Sequence, residues 1–263
     1  MIAEISGARL WFEDSGGAGA AVVLLHAGTG SSRMWRHQVP AFAGAGLRVI
    51  AYDRRGHGQT ESAEAVAPAA TDLAALLDAL RIEAAHLVGT AAGAIVAADF
   101  ALSHPGRTRS LVLANTHLAI QDDAYAALQK RLRPPPQFDA LPAEVKELGP
   151  SYRAAHPEGV QKWLEIERAA RRKGAATLPE TANPITFEAL GRLAMPVLFL
   201  TGDADLYMPP HVLRLLAGSV PGAGAVVIPE AGHSAYWEQP AAFNDAVLRF
   251  LSGPKGDSSP IRG

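Results

Sequence analysis

Three groups of residues, far apart in the chain, have the types needed for nucleophilic catalysis. The stretch Gly89-Thr90-Ala91-Ala92-Gly93 has the glycine spacing of a Gly-x-Ser-x-Gly turn, whose central residue attacks a carbonyl carbon, but Ala91 has no nucleophilic atom. Downstream, Gly202-Asp203-Ala204-Asp205 offers a carboxylate and Ala231-Gly232-His233 offers an imidazole. A carboxylate can orient an imidazole, which then takes the proton of an attacking hydroxyl. The order along the chain therefore predicts a triad of nucleophile, acid and histidine with alanine in the first position.

Backbone N–H groups could complete this chemistry. The glycine-rich loop His26–Gly30 follows an apolar run, but Arg33 stands where a dinucleotide fingerprint would need its third glycine, and the loop lacks the lysine of a P-loop. Its flexible backbone could instead direct an N–H group at a developing negative charge. We therefore assign Gly28 and Ala92 as donors to an oxyanion, and we expect His26 to be a structural hydrogen-bonding residue beneath the loop.

A scaffold must bring these groups together. Six apolar runs predict buried strands: Ala21–Leu25, Leu47–Tyr52, Ala85–Gly89, Arg109–Ala114, Pro196–Thr201 and Ala225–Ile228. Segments with helical spacing alternate with them, including Met34–Ala43, Thr71–Leu80, Ala91–Ser103, Pro209–Ala217 and Pro240–Leu251. The pattern predicts an α/β fold, a mostly parallel twisted sheet flanked by helices. In such a sheet the loops at the carboxyl ends of the strands meet in one crevice, where positions 91, 203–205 and 233 would lie.

The chain between residues 118 and 193 has a different character. It is more charged, contains Pro134-Pro135-Pro136 and shows no strand pattern. Helical patterns occur near Asp122–Leu132, Ala143–Ala155 and Val160–Lys173. We therefore predict that residues 118–193 form a helical cap inserted into a core of residues 1–117 and 194–263.

Composition restricts the classes of function. The chain has 263 residues, enough for one large α/β domain with an insertion. A net charge of −2 argues against nucleic acid or an anionic membrane as the main partner, so we expect a small-molecule ligand. The absence of cysteine excludes a cysteine nucleophile and a cysteine-bound zinc site. No signal peptide or apolar run of about 20 residues is visible, so we expect a cytoplasmic protein, with a homodimer as one possible assembly.

The chain resembles the α/β-hydrolase superfamily from Val22 to Phe250. The resemblance rests on His26–Gly28, Asp53–Gly58, Gly89–Gly93, Gly202–Asp205 before Met208-Pro209, and Ala231–His233 leading to Trp237-Glu238-Gln239-Pro240. It implies a serine nucleophile at the position of Ala91 and favours Asp205 over Asp203 as the acid. It implies no metal and no organic cofactor.

Within the superfamily, Ser110–Thr116 and the pair Gly28-Thr29 followed by Met34-Trp35 resemble 3-oxoadipate enol-lactonase-like proteins. The cap does not follow that pattern, and cap residues line the pocket in this superfamily, so the resemblance leaves the substrate open. Our candidates for pocket walls are Thr29, Trp35, His117, Trp163 and Tyr207.

These observations predict a serine-type hydrolase of an ester, a lactone or a ring-fission product. We interpret Ala91 as a serine-to-alanine exchange that inactivates the chain, because the histidine and the acid are both retained. Two alternatives remain open. The His233–Asp205 pair could act alone as the general base of a cofactor-free enzyme, or the protein could be a natural pseudoenzyme that binds a small ligand.

Overall fold

A mostly parallel β-sheet of nine strands forms the centre of this computed structural model, which describes residues 1–5, 7–62, 68–132, 135–170 and 178–253. The strands are β1 (Ile2–Ile5), β2 (Ala8–Asp14), β3 (Ala21–Leu25), β4 (Arg48–Tyr52), β5 (Glu61–Ser62), β6 (Ala85–Thr90), β7 (Thr108–Ala114), β8 (Val197–Gly202) and β9 (Gly224–Ile228). Their order is β1-β2-β4-β3-β6-β7-β8-β9, with β5 paired to β2. Pairing is antiparallel around β2 and parallel from β4 to β9. The predicted fold class is confirmed.

Helices cover both faces of the sheet. They are α1 (Gln38–Gly44), α2 (Ala69–Ala79), α3 (Ala92–Ser103), α4 (Asp123–Leu132), α5 (Ala143–Glu147), α6 (Pro150–Ala155), α7 (Pro157–Ala170), α8 (Phe187–Gly191), α9 (Pro210–Gly218), α10 (Ala235–Glu238) and α11 (Pro240–Leu251). Short 3-10 helices span Ser32–Trp35, Pro105–Arg107 and Pro136–Phe138.

Alternate residues of the central strands pack against opposite helix layers, as the two-residue period of a strand requires. In β3, Val23 and Leu25 join the apolar cluster that contains residues of α2, α3 and α9. Val22 and Leu24 join the second cluster, which contains residues of α1 and α11. All five residues of β3 are buried, so the continuous apolar run reflects a strand covered on both faces.

The strand register brings four carboxyl ends to one edge of the sheet. Leu25 of β3 lies opposite Gly89 of β6, and Gly89 lies opposite Leu113 of β7. Ala114, the last residue of β7, lies opposite Leu200 of β8. The loops that follow these strands therefore leave the sheet side by side, where one site can combine their side chains.

The segment between β7 and β8 is helical in its described part and contains α4 to α8. Hydrogen bonds hold it against the rest of the molecule. The buried Asp99 carboxylate of α3 accepts from the backbone N–H groups of Ala182 and Asn183, each at 2.9 Å. The Gly58 N–H donates to the carbonyl oxygen of Ala170 at the end of α7, at 2.6 Å.

Prolines divide two of the predicted helices. A single helix over Met34–Ala43 was expected, but the structure has a 3-10 helix followed by α1, because Pro40 is tolerated only in the first turn of a helix. The predicted helix Ala143–Ala155 is split into α5 and α6. Gly149 precedes Pro150 and is extended (φ −63°, ψ 153°), as a residue before proline favours.

Some sequence predictions fall outside the described residues. They include Pro134 of the proline run and residues 171–173 at the end of the third predicted helix of the cap. Among the described helices, none combines the length and the hydropathy that crossing a membrane requires.

Candidate active site

The turn between β6 and α3 holds Ala91 in a conformation that non-glycine residues rarely adopt. Its φ is 47° and its ψ is −114°. Its N–H donates to the Ala114 carbonyl at 2.9 Å, and its own carbonyl accepts from the Ala94 N–H at 3.1 Å. Such a conformation costs about 1–3 kcal/mol and persists only where the surroundings enforce it. The turn directs the side-chain position of Ala91 into a cavity that Ala91 lines.

The two glycines of the turn are required by close backbone contacts. A Cβ atom on Gly89 would lie 2.5 Å from the carbonyl oxygen of Gly93. A Cβ atom on Gly93 would collide with the carbonyl oxygen of Leu25 at the end of β3. Glycine at both positions therefore allows α3 to pack directly against the sheet.

Asp205 and His233 form a buried pair beside the turn. The His233 Nδ1 atom lies 2.9 Å from each carboxylate oxygen of Asp205. The Asp205 carboxylate also accepts from the Asn115 side chain at 2.9 Å and from the Met208 backbone N–H at 2.9 Å. Asp203, by contrast, is exposed. The structure therefore brings Asp205, and not Asp203, to the histidine.

The two side chains shift each other's pKa in opposite directions. Burial would raise the pKa of Asp205, but the charge and hydrogen bond of His233, with two further N–H donors, lower it to about 2. Burial would lower the pKa of His233, but the Asp205 carboxylate, aided by two more distant glutamates, raises it to about 9. Asp205 is therefore ionised at neutral pH and holds Nδ1–H of the imidazole toward itself. With a pKa of about 9, His233 also carries a proton on Nε2 at neutral pH, and Nε2 becomes available as a base as the pH rises toward 9.

The loop after β3 is held so that Gly28 can present its N–H to the cavity. The Ala27 carbonyl accepts from His26 Nδ1 at 2.7 Å and from the Arg54 guanidinium at 3.3 Å. Because a trans peptide places its N–H opposite its C=O, the Gly28 N–H points away from these donors. Gly28 and Ala92 both line the cavity. Ala92 is the first residue of α3, so its N–H has no carbonyl partner within the helix.

His26 is a buried structural residue of this loop. Its Nε2 accepts from the Arg54 backbone N–H at 3.0 Å, which leaves Nδ1–H to donate to Ala27. Burial, with the charges of Arg54 and His57, lowers the pKa of His26 well below its ordinary value. The histidine is therefore neutral and faces the loop, not the cavity.

The cavity has a volume of about 360 Å³. Of the predicted pocket walls, Thr29, His117 and Tyr207 line it. His117 accepts the Ala119 N–H at its Nδ1 (3.2 Å). Burial first, and then the charge of His233, lower the pKa of His117. His117 is therefore a neutral imidazole with an N–H on Nε2.

Trp35 and Trp163 do not form pocket walls, which corrects the sequence prediction. Both are fully buried in the second apolar cluster. Trp35 packs on Tyr236 with ring centroids 4.8 Å apart. Trp163 shares its face of α7 with Ile166 and Ala170, and this apolar stripe points into the core.

The sequence analysis did not predict a role for two glutamates that lie near this site. Glu238 lies in the quoted run Trp237–Pro240, and its carboxylate accepts from the backbone N–H groups of Gly149 (2.6 Å), Gly232 (3.0 Å) and Ser234 (3.2 Å). It therefore joins the loop that carries His233 to the cap segment. Glu147, at the end of α5, lines the cavity. Only the long-range packing of the cap reveals its position.

No group of three or more His, Cys, Asp or Glu side chains in the described ranges has an arrangement that could hold a metal ion.

Known proteins share this arrangement of strands and helices. The model of the alpha/beta hydrolase family matches residues 22–246. The chain is 32% identical to a putative non-heme bromoperoxidase, BpoC, of Mycobacterium tuberculosis H37Rv over 92% of this chain and 97% of the relative. It is 31% identical to the 2-hydroxy-6-oxononadienedioate/2-hydroxy-6-oxononatrienedioate hydrolase of Burkholderia vietnamiensis, covering 92% of this chain and 91% of the relative.

Solved structures agree. An esterase from Thermogutta terrifontis superposes with a TM-score of 0.80 at 30% identity and covers 93% of each chain. The protein therefore belongs to the alpha/beta hydrolase family, as the motifs predicted. The names of these relatives cover several activities, so the reaction of this chain has to be argued from its own site.

Proposed function

We propose that this chain is a serine hydrolase of a small carbonyl compound in which alanine stands at the nucleophile position. The observation that carries the proposal is the strained turn at Ala91, directed into the same cavity as the His233–Asp205 pair. A methyl group gains nothing from that conformation. A serine there would present its hydroxyl to both the imidazole and the substrate, which is the use of such a turn.

The geometry supports an acyl-transfer sequence for the form with serine at position 91. The hydroxyl attacks the substrate carbonyl while Nε2 of His233 takes its proton, and the Asp205 carboxylate stabilises the resulting imidazolium. The N–H groups of Gly28 and Ala92 bind the oxyanion. The imidazolium then protonates the leaving group, and a water molecule hydrolyses the acyl ester by the same steps in reverse order.

The cavity volume and the relatives support a small ester or lactone as substrate. About 360 Å³ lies at the lower end of the range for small-molecule sites. The Thermogutta terrifontis relative is an esterase, and the Burkholderia vietnamiensis relative is a hydrolase of an oxo-dicarboxylate. The serine hydrolase, the cofactor-free His–Asp base and the ligand-binding pseudoenzyme differ in what they need at position 91. A base that acts alone and a ligand-binding pseudoenzyme both leave the strain at Ala91 without a purpose.

The test is Ala91→Ser, assayed from pH 7 to 10 on activated esters, lactones and ring-fission products. Loss of the nucleophile from a serine triad costs about 10⁶-fold in kcat in a protease, so we expect a gain of at least about 10³-fold. Ala91→Gly is the matched control, because it changes the same position without adding a nucleophile. Equal turnover by the alanine and serine forms would favour the His–Asp base. Ligand binding without turnover in either form would favour the pseudoenzyme.

A further inference from the structure

The carboxyl group of Glu147 faces the cavity that His233 lines, and no side chain or backbone group among the described residues binds it. Its own carbonyl oxygen accepts from the Ser234 N–H at 3.1 Å, so its main chain is fixed to the residue after His233. The side chain lines the cavity, and the residue is only 8% exposed. Within the described ranges, the carboxyl oxygens of Glu147 make no hydrogen bond or ion pair.

The other buried acids near the site are all satisfied. Asp205 accepts from side-chain and backbone donors, Asp99 from two backbone N–H groups and Glu238 from three. Burying a carboxylate without such donors is costly. Glu147 is therefore an exception among these carboxylates, and it faces the cavity that His233 and Ala91 also line.

The charges around Glu147 do not replace a partner. Burial raises the pKa of Glu147, with opposing influences from His233 and Lys146, which lower it, and from Asp205 and Glu167, which raise it. Lys146 also lines the cavity, but its Nζ donates to the backbone oxygen of Asp139 at 3.2 Å. Glu167 also lines the cavity, so its charge adds to that of Glu147. This side of the cavity is suited to a positive group.

We propose that Glu147 binds a positively charged ammonium group of the substrate, so that the preferred substrates are cationic esters or related carbonyl compounds. This inference rests on the proposed hydrolase function for its site, but it can be measured without catalysis. A bound ammonium group would give the Glu147 carboxyl a direct partner, which none of the described residues provides. A substrate carboxylate at the same place would face both Glu147 and Glu167.

The binding experiment uses the chain with Ala91 unchanged, which cannot consume the ligand by the proposed mechanism. Acetylcholine and 3,3-dimethylbutyl acetate have nearly the same shape and differ in one positive charge, and calorimetry can compare their dissociation constants. We expect acetylcholine to bind about 10- to 100-fold more tightly, because its trimethylammonium group, which has no N–H to donate, gains a charge–charge attraction to the carboxylate. Glu147→Gln should remove this preference.

Glu144→Gln is the matched control, because Glu144 lies on the same helix and carries the same charge but does not line the cavity. It should keep the preference for the cation. Equal loss of preference in both variants would reduce the effect to general charge, and an unchanged preference in Glu147→Gln would overturn the proposal. Preferential binding of monomethyl succinate, an anionic ester, by the unaltered chain would also overturn it, even if Glu147→Gln failed to fold.

The kinetic experiment separates this inference from the proposed function. In the Ala91→Ser background, Glu147→Gln should lower the ratio of kcat/KM for acetylcholine to that for 3,3-dimethylbutyl acetate by about 10- to 100-fold. Turnover of both esters at the same ratio with and without Glu147 would refute the role of Glu147 and retain the hydrolase. Charge-selective binding without any turnover would support the role of Glu147 and count against the hydrolase.

Discussion

The strained turn at position 91 can be tested through stability alone. The angles of Ala91, φ 47° and ψ −114°, are the mirror image of an ordinary extended conformation. Glycine adopts mirror-image conformations as readily as ordinary ones because it has no Cβ. Ala91→Gly would remove a strain of about 1–3 kcal/mol. It would also give the unfolded chain extra freedom worth about 0.4–1 kcal/mol.

The balance predicts that Ala91→Gly raises the free energy of unfolding by about 1 kcal/mol. For a domain of this size the corresponding shift in Tm is about 2–4 °C. Urea and thermal denaturation would measure both quantities. The methyl group of Ala91 lines the cavity and packs into no apolar cluster, so its removal should cost little.

The control is Ala94→Gly, three residues further along in α3. Ala94 is fully buried and helical, so this change should lower the free energy of unfolding by about 1 kcal/mol or more. Opposite signs at the two positions would establish the strain. If Ala91→Gly were neutral or destabilising while Ala94→Gly behaved as expected, the turn would hold alanine without strain. The main argument for a displaced serine would then fail.

Two further predictions concern the histidine and the glycines. Asp205→Asn removes the main charge that raises the pKa of His233, so the imidazole midpoint followed by NMR should fall well below 9, because burial is then opposed mainly by the weaker charges of two glutamates. A midpoint that did not move would contradict this cause. Gly93→Ala should cost about 3 kcal/mol or more because the new Cβ meets the Leu25 carbonyl. Gly44→Ala, which meets no atom within 4 Å, should be neutral or stabilising by up to about 1 kcal/mol; equal losses at both glycines would refute the steric account.

Structural features that depend on a short stretch of the chain could be predicted from the sequence. The continuous apolar runs of β3 and β8 identify strands covered on both faces, and the pair Gly89 and Gly93 identifies the turn between β6 and α3. Each can be recognised within a few consecutive residues, although the contact that requires Gly93 is with Leu25 at the end of β3. The choice of Asp205 over Asp203 came from family resemblance instead, and the contact with His233 provides its physical basis.

Features set by distant packing could not be predicted in the same way. A tryptophan on an amphipathic helix can face the core or a cavity, and for Trp163 the direction depends on how α7 sits against the core. For Glu147 the sequence shows an ordinary charged residue of a short helix. Its burial arises because its backbone is bonded to Ser234, which lies 87 residues further along (234 − 147 = 87).

The geometry around position 91 is relevant to the question of how alanine came to occupy it. The folded chain retains strain at Ala91 and a buried Glu147 without a partner among the described residues, two features that lower stability. It also keeps the Asp205–His233 pair intact. Natural sequences that lose a function are free to relax such features by single substitutions, because most proteins lie only slightly above the stability that folding requires. Neither the strain at Ala91 nor the burial of Glu147 has been removed in this chain. The proposed exchange of one serine would account for both features and for the Asp205–His233 pair with a single change, whereas a long-standing loss of catalysis would require both unfavourable features to persist without benefit.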